Sequence, residues 1–146
     1  MGTKNNSKLF YTCSLIELIG RKMKKVRAEV TDALGKEAIA RIYEYADVFH
    51  SEPIEKVASE FIEEYKITPG SFDNEGECRY RVPDYWTVGE IYERLVEDIC
   101  SDEKVLEGIW EVYHSWIDSH ISDYNTDFYY QPRDYISACY DAGTVL

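Results

Sequence analysis

At 146 residues, with 45% apolar and 14% aromatic content, the chain suits one domain with a real core and lies far from the composition of disordered proteins. Its net charge of −12 is unevenly spread: residues 1–41 carry nine Lys/Arg and four Asp/Glu, whereas residues 42–146 carry seven and twenty-four. A basic head on an acidic body speaks to partners, solubility and encounter rates rather than to fold, and the acidic majority would repel free duplex DNA.

Thirteen tyrosines suit half-buried positions where the ring packs and the hydroxyl stays wet. Residues 1–12 are polar, and the apolar run from Leu15 to Ile19 is interrupted by Glu17 and too short to span a bilayer, so the expectation is a cytoplasmic protein with no membrane contact. Cys13, Cys78, Cys100 and Cys139 are widely separated with no C-x-x-C pair, which predicts ordinary thiols in a reducing compartment.

Apolar spacing predicts helix through most of the chain. Thr12 or Ser14 caps a short first helix on Leu15, Ile16 and Ile19, ended by Gly20. A second runs over residues 24–34, ended by Gly35, and a third over residues 36–49. Pro53 opens a fourth, whose stripe is Ile54, Val57, Ala58, Phe61, Ile62 and Tyr65. Residues 67–84 hold Pro69, Gly70, Gly76 and Pro83; within them Cys78, Tyr80 and Val82 alternate with Arg79 and Arg81, which predicts a short strand or extended rim over 77–82. Thr87 then caps a fifth helix, with Glu90 placed for a capping box and Glu93, Glu97 and Asp98 facing water. A long sixth helix opens at Ser101 or Asp102 and continues through Ile121, and Pro132 starts a last one. The expected fold is a single, mainly α domain of six or seven helices, its basic helical head over about residues 12–41 and its acidic helical body over about 42–146, with at most one short β element.

Three constellations carry functional readings. Arg21, Lys22, Lys24, Lys25 and Arg27 put five positive charges in seven residues, which suits a phosphate-binding corner that grips nucleic acid, or else a basic corner docked on the chain's own acidic body. Glu55, Glu60, Glu63 and Glu64, then Glu90, Glu93, Glu97 and Asp98, form a negative surface able to cover a basic partner. Asp123, Asn125, Asp127 and Asp134 occupy positions 1, 3, 5 and 12 of a calcium-type loop, yet Phe128 stands where the turn needs Gly and Asp134 replaces the bidentate Glu. Local backbone hydrogen bonding by those Asp and Asn side chains is the competing reading.

Tyr124, Phe128, Tyr129, Tyr130 and Tyr135 crowd the C-terminal third, as core packing or as an aromatic patch flanked by Asp127 and Arg133. Glu111 and His114 share a helix face with Asp118 a turn beyond, but di-metal bundles need this pair twice. With His50, His114 and His120 scattered, and no nucleophile context or Gly-rich phosphate loop, neither an enzyme nor a cofactor is argued for.

Residues 10–17 (Phe-Tyr-Thr-Cys-Ser-Leu-Ile-Glu), Ala46-Asp-Val-Phe-His50, and Asp123-Tyr-Asn125 with Phe128-Tyr-Tyr130 resemble a family of small, uncharacterised acidic proteins of anaerobic bacteria. No functional residue carries over, because that family has no established activity. The resemblance implies a bacterial, antitoxin-like setting. The expected function is a non-enzymatic binding protein whose acidic body engages a basic protein partner, of antitoxin, immunity or inhibitor type. Phosphate or nucleic-acid binding at residues 21–27 is the runner-up, and a small-molecule or metal site near residues 123–134 the third reading.

Overall fold

In the computed structural model, which describes residues 6–146, the first helix, α1 (Ser7–Met23), is buried almost all round: every residue from Tyr11 to Gly20 is inside. Its start is set by Asn6, whose side-chain carbonyl accepts from the Leu9 amide, several residues before the expected Thr12 or Ser14 caps. The polar leader's first five residues lie outside the described residues. Gly20 does not end α1. It lies under the Arg27 side chain, and a Cβ there would stand 2.4 Å from Arg27 Cδ, so the glycine serves close packing. The helix ends instead at Lys24, in the left-handed region (φ 51°). The amides of Gly70 and Phe72 then cover the exposed carbonyls of Met23 and Lys24.

α2 (Arg27–Glu44) is broken at Gly35 (φ 83°, ψ 163°), where two helices were expected to meet. A short α3 (Ala46–Phe49) follows, then α4 (Ile54–Glu64), which buries Val57, Ala58 and Phe61 against α1. α5 (Tyr85–Ile99) starts at Asp84, whose carboxylate accepts from the Thr87 amide, so Asp84 and not Thr87 is the cap. α5 lies along α1 at very close range: a Cβ on Gly89 would meet Ser14 Oγ at 2.2 Å and Ser14 Cα at 2.8 Å.

The expected strand over residues 77–82 is replaced by turns; among the described residues there is no strand. Asn125 satisfies that segment in place of a neighbouring strand, accepting from the Arg79 amide and donating to the Glu77 carbonyl. The expected long sixth helix divides into a 3₁₀ turn (Asp102–Lys104), α6 (Val105–Tyr113) and α7 (Ile117–Ile121). Ser115 sits at the break, its hydroxyl donating to the Val112 carbonyl and accepting from the Ile117 amide. A second 3₁₀ turn (Phe128–Tyr130) leads to α8 (Arg133–Ala142), closed by Gly143 at φ 76°. The architecture is therefore all-helical, eight α-helices among the described residues: α1 packs against α2, α3, α4 and α5, α6 joins α2 to α5, and α8 lies on α5. No described helix is long and apolar enough to cross a membrane.

Candidate functional site

A carboxylate inside an apolar helix needs partners, and Glu17, fully buried in α1, has four hydrogen bonds. Arg21, one turn on, donates through Nε at 2.9 Å; Arg27 donates through Nε at 2.9 Å and Nη2 at 2.8 Å; the Tyr124 hydroxyl donates as well. Burial pushes the Glu17 pKa up, but Arg27, Arg21 and Tyr124 outweigh it and hold the group down at about 2. Arg27 is itself 0% exposed, and its remaining donors reach the Lys25 carbonyl and Asn74 Oδ1.

The same contacts place the five clustered cations. Arg27 is sealed inside. Arg21 reaches Tyr124 and the Pro83 carbonyl, with Glu75 at 3.6 Å. Lys22 pairs with Glu55 at 3.3 Å, Lys24 with Asp73 at 3.6 Å, and Lys25 donates to the Thr68 carbonyl. The two arginines of the corner thus serve the buried Glu17, whereas Lys22 and Lys24 stay exposed beside their acidic neighbours.

Beside this network lies a cleft of about 330 Å³, between the start of α2, the 72–77 loop and the segment from α7 to Asn125. Val26 and Phe72 form its apolar side, and Asn74, Asp118, Ser122 and Tyr124 its polar depth. Asn74 bridges the two regions, accepting from Arg27 and donating to the Ser122 carbonyl. Asp118 is 5% exposed and accepts from the Tyr92 hydroxyl at 2.5 Å. Burial pushes its pKa up to about 6, although Tyr92 and Arg27 pull the other way. Tyr92 stacks on Tyr113 at 4.2 Å between ring centres, which holds the hydroxyl in place.

The acids expected on one open surface are split. On α4, Glu60, Glu63 and Glu64 are exposed, Glu64 meeting Arg41 and Glu60 meeting Lys56. On α5, Glu90 pairs with Arg94. Glu93 and Glu97 do not face water: α8 and the start of α1 cover them to 4% and 8% exposure. Glu97 accepts from the Asn6 amide and from Arg133, which also grips Asp98. Burial, then the neighbouring Glu97 and Glu90, push the Glu93 pKa up to about 8, against the pull of Arg133.

The aromatic residues form a wall rather than an open patch. Tyr124 and Phe128 are buried; Tyr129 stands edge-on to Tyr124 and to Tyr130, Tyr135 packs on Phe128, and Tyr130 alone of the five is largely exposed. The calcium-type loop uses its oxygens locally: Asp123 accepts from the Asn125 amide, and Asn125 ties down residues 77–79. Asp127 and Asp134 are not gathered with them, and no group of three or more His, Cys, Asp or Glu among the described residues could hold a metal ion.

A second concavity of about 540 Å³ runs between α2 and α6. Its floor is Ile39, Ala40, Leu106 and Trp110, and its rim is Lys36, Glu37, Glu107 and Glu111. Leu106 is 40% exposed, and Lys36 Nζ sits 5.1 Å from the Trp110 ring centre. Sequence reasoning passed over this groove because Leu106 and Trp110 read as ordinary core of a long helix. It also missed Asn74, Tyr92 and Asp118 as site residues, although Glu17 breaking the Leu15–Ile19 run was a visible sign of a buried charge. No family model, curated protein or solved structure matches the chain.

Proposed function

We propose that this chain is a non-enzymatic binding protein that captures a basic protein partner, of antitoxin, immunity or inhibitor type, and that the α2–α6 groove is the seat of capture. The observation that carries the reading is the pairing of an apolar floor with a rim bearing three glutamates and one lysine. Apolar anchors centred in a charged rim are the anatomy of energetic hot spots. That lone lysine rests on the Trp110 face, so the groove already attracts a cation there. The occupant is an amphipathic basic helix: an apolar side chain fills the floor, Lys or Arg meets Glu37, Glu107 and Glu111, and a partner cation takes the place of Lys36 on Trp110. The exposed acids of α4, Glu60, Glu63 and Glu64, add long-range attraction that speeds encounter.

The test uses a synthetic Leu/Lys amphipathic helical peptide and its scrambled form of equal charge, titrated at physiological salt. The intact pattern binds more tightly than the scramble, and Leu106→Lys or the pair Glu107→Lys and Glu111→Lys removes the difference. Reversing Glu60, Glu63 and Glu64 to Lys slows association more than it speeds dissociation, and added salt mimics it. Equal binding of peptide and scramble, unaffected by the groove variants, would reduce the acidic surface to a solubility device.

A further inference from the structure

We propose that the cleft beside the Glu17 network is a second binding site, distinct from the groove, for a small organic cation carrying a primary ammonium group, with Asp118 as its anchor. The cleft lining carries three carboxylates, Asp118, Asp123 and Glu77, and no cationic side chain. None of the three enters an ion pair among the described residues. The nearby guanidinium of Arg27 is hydrogen-bonded to Glu17, Lys25 and Asn74 and forms no ion pair with any of the three.

Asp118 is the one buried carboxylate of the three. It lines the cleft, is 95% buried by its 5% exposure, and its Oδ1 accepts from Tyr92. Among the described residues its other oxygen accepts no hydrogen bond. The Ser122 hydroxyl, in the same lining and 2% exposed, has no hydrogen-bond partner among the described residues, and an ammonium group, with three donors and a full charge, is the complement that serves the Asp118 carboxylate and that hydroxyl together. The Tyr92 hydroxyl, held by its stack on Tyr113, keeps the carboxylate oriented. Val26 and Phe72 offer an apolar wall to an alkyl chain, while Glu77 and Asp123 can meet a second cationic end. At about 330 Å³ the cleft stands at the small end of ligand pockets, which run from roughly 300 to 1,000 Å³, so the fit is a short alkyl amine or diamine and not a nucleotide.

The experiment titrates the full chain with 1,4-diaminobutane and with 1,4-butanediol, its uncharged counterpart, by calorimetry and thermal shift at physiological salt. The expected result is saturable one-to-one binding of the diamine, with a rise in Tm, and none of the diol. Asp118→Asn weakens diamine binding by about tenfold or more, the scale of a lost charge-assisted hydrogen bond. Because Asp118 is buried, Ser119→Phe provides a second variant: Ser119 is exposed at the cleft's edge, and a ring there blocks entry without touching the core. Glu60→Gln with Glu63→Gln, on α4, leaves the affinity unchanged, which separates a site from general attraction to an acidic protein. Binding of the diol as tight as that of the diamine, no saturable diamine binding, or full affinity in folded Ser119→Phe would each overturn the proposal.

Discussion

Breaking the Glu17–Arg27 pair from one side strands a charge in the core, whereas removing both partners does not. Glu17→Gln removes the charge that balances the fully buried Arg27 and leaves it neutral acceptors alone, the Gln amide oxygen with the Lys25 carbonyl and Asn74 Oδ1. Loss of one member of a buried pair costs about 3–5 kcal/mol. The depressed pKa points to a similar scale: Glu17 is held at about 2 against a usual 4.5, which at about 1.4 kcal/mol per unit is about 3.5 kcal/mol of stability at neutral pH. Since the folded value is depressed, that stability is full above pH 4.5 and is lost as pH falls towards 2. Arg27→Met costs less, about 3 kcal/mol, because Arg21 and Tyr124 still serve Glu17. The double variant Glu17→Leu/Arg27→Met costs less than Glu17→Gln alone, since Arg21 keeps Glu75 and the Pro83 carbonyl. Urea unfolding followed by far-UV circular dichroism gives all three values. Single variants costing under about 1 kcal/mol, or losses that simply add to within about 0.5 kcal/mol, would refute the reasoning.

Gly20→Ala, normally a gain of about 1 kcal/mol inside a helix, is expected to destabilise here, because its Cβ would collide with the immobile Arg27 stem; a rise in Tm would show that Arg27 can give way. Glu93 and Asp118 have folded pKa values raised to about 8 and about 6, so the native state holds their protons more tightly and stability falls as pH rises from about 4.5 to 8. Glu93→Gln is expected to flatten that fall, as read from Tm across the same range. Cys13 and Cys139 are fully buried, and burial pushes the Cys13 thiol pKa well up, whereas Cys78 is part-exposed. A maleimide followed by mass spectrometry is expected to modify Cys78 in the native protein and to reach Cys13 and Cys139 once urea unfolds it.

The helices with a clean one-sided stripe were readable from sequence, α4 above all, since Ile54, Val57, Ala58 and Phe61 need one neighbour and find it in α1. The start of α8 was equally plain, at Pro132. What escaped was set by residues distant in the chain. Gly20 looks like a helix end until Arg27 is seen lying on it. The alternation at Cys78, Tyr80 and Val82 looks like a strand, yet its backbone is served by the side chain of Asn125, which no period reveals. Glu93 and Glu97 read as the polar side of α5, but α8 and the start of α1 close over them, and a single-helix pattern carries no information about which helices arrive there. For the basic cluster, an internal partner was one of the two readings, but Glu17 as that partner was hidden, because it sits in a run that reads as core.

Burial of α1 on every side has a consequence for synthesis. The ribosome makes α1 before α5, so the face that receives Gly89 and the rest of α5 stays empty until residue 99 has been added. At about 5–20 residues per second, the interval from Met23 to Ile99 lasts several seconds. Through that time Leu15, Ile16, Leu18 and Ile19 have no lasting shelter, and neither Glu17 nor the arginines have the low-dielectric setting that makes their pairing strong. Yield in the cell is then governed by how quickly the stretch between α1 and α5 is read and by what escorts α1 meanwhile. A slow codon placed before the α5 coding stretch would cost more protein than the same codon placed after it.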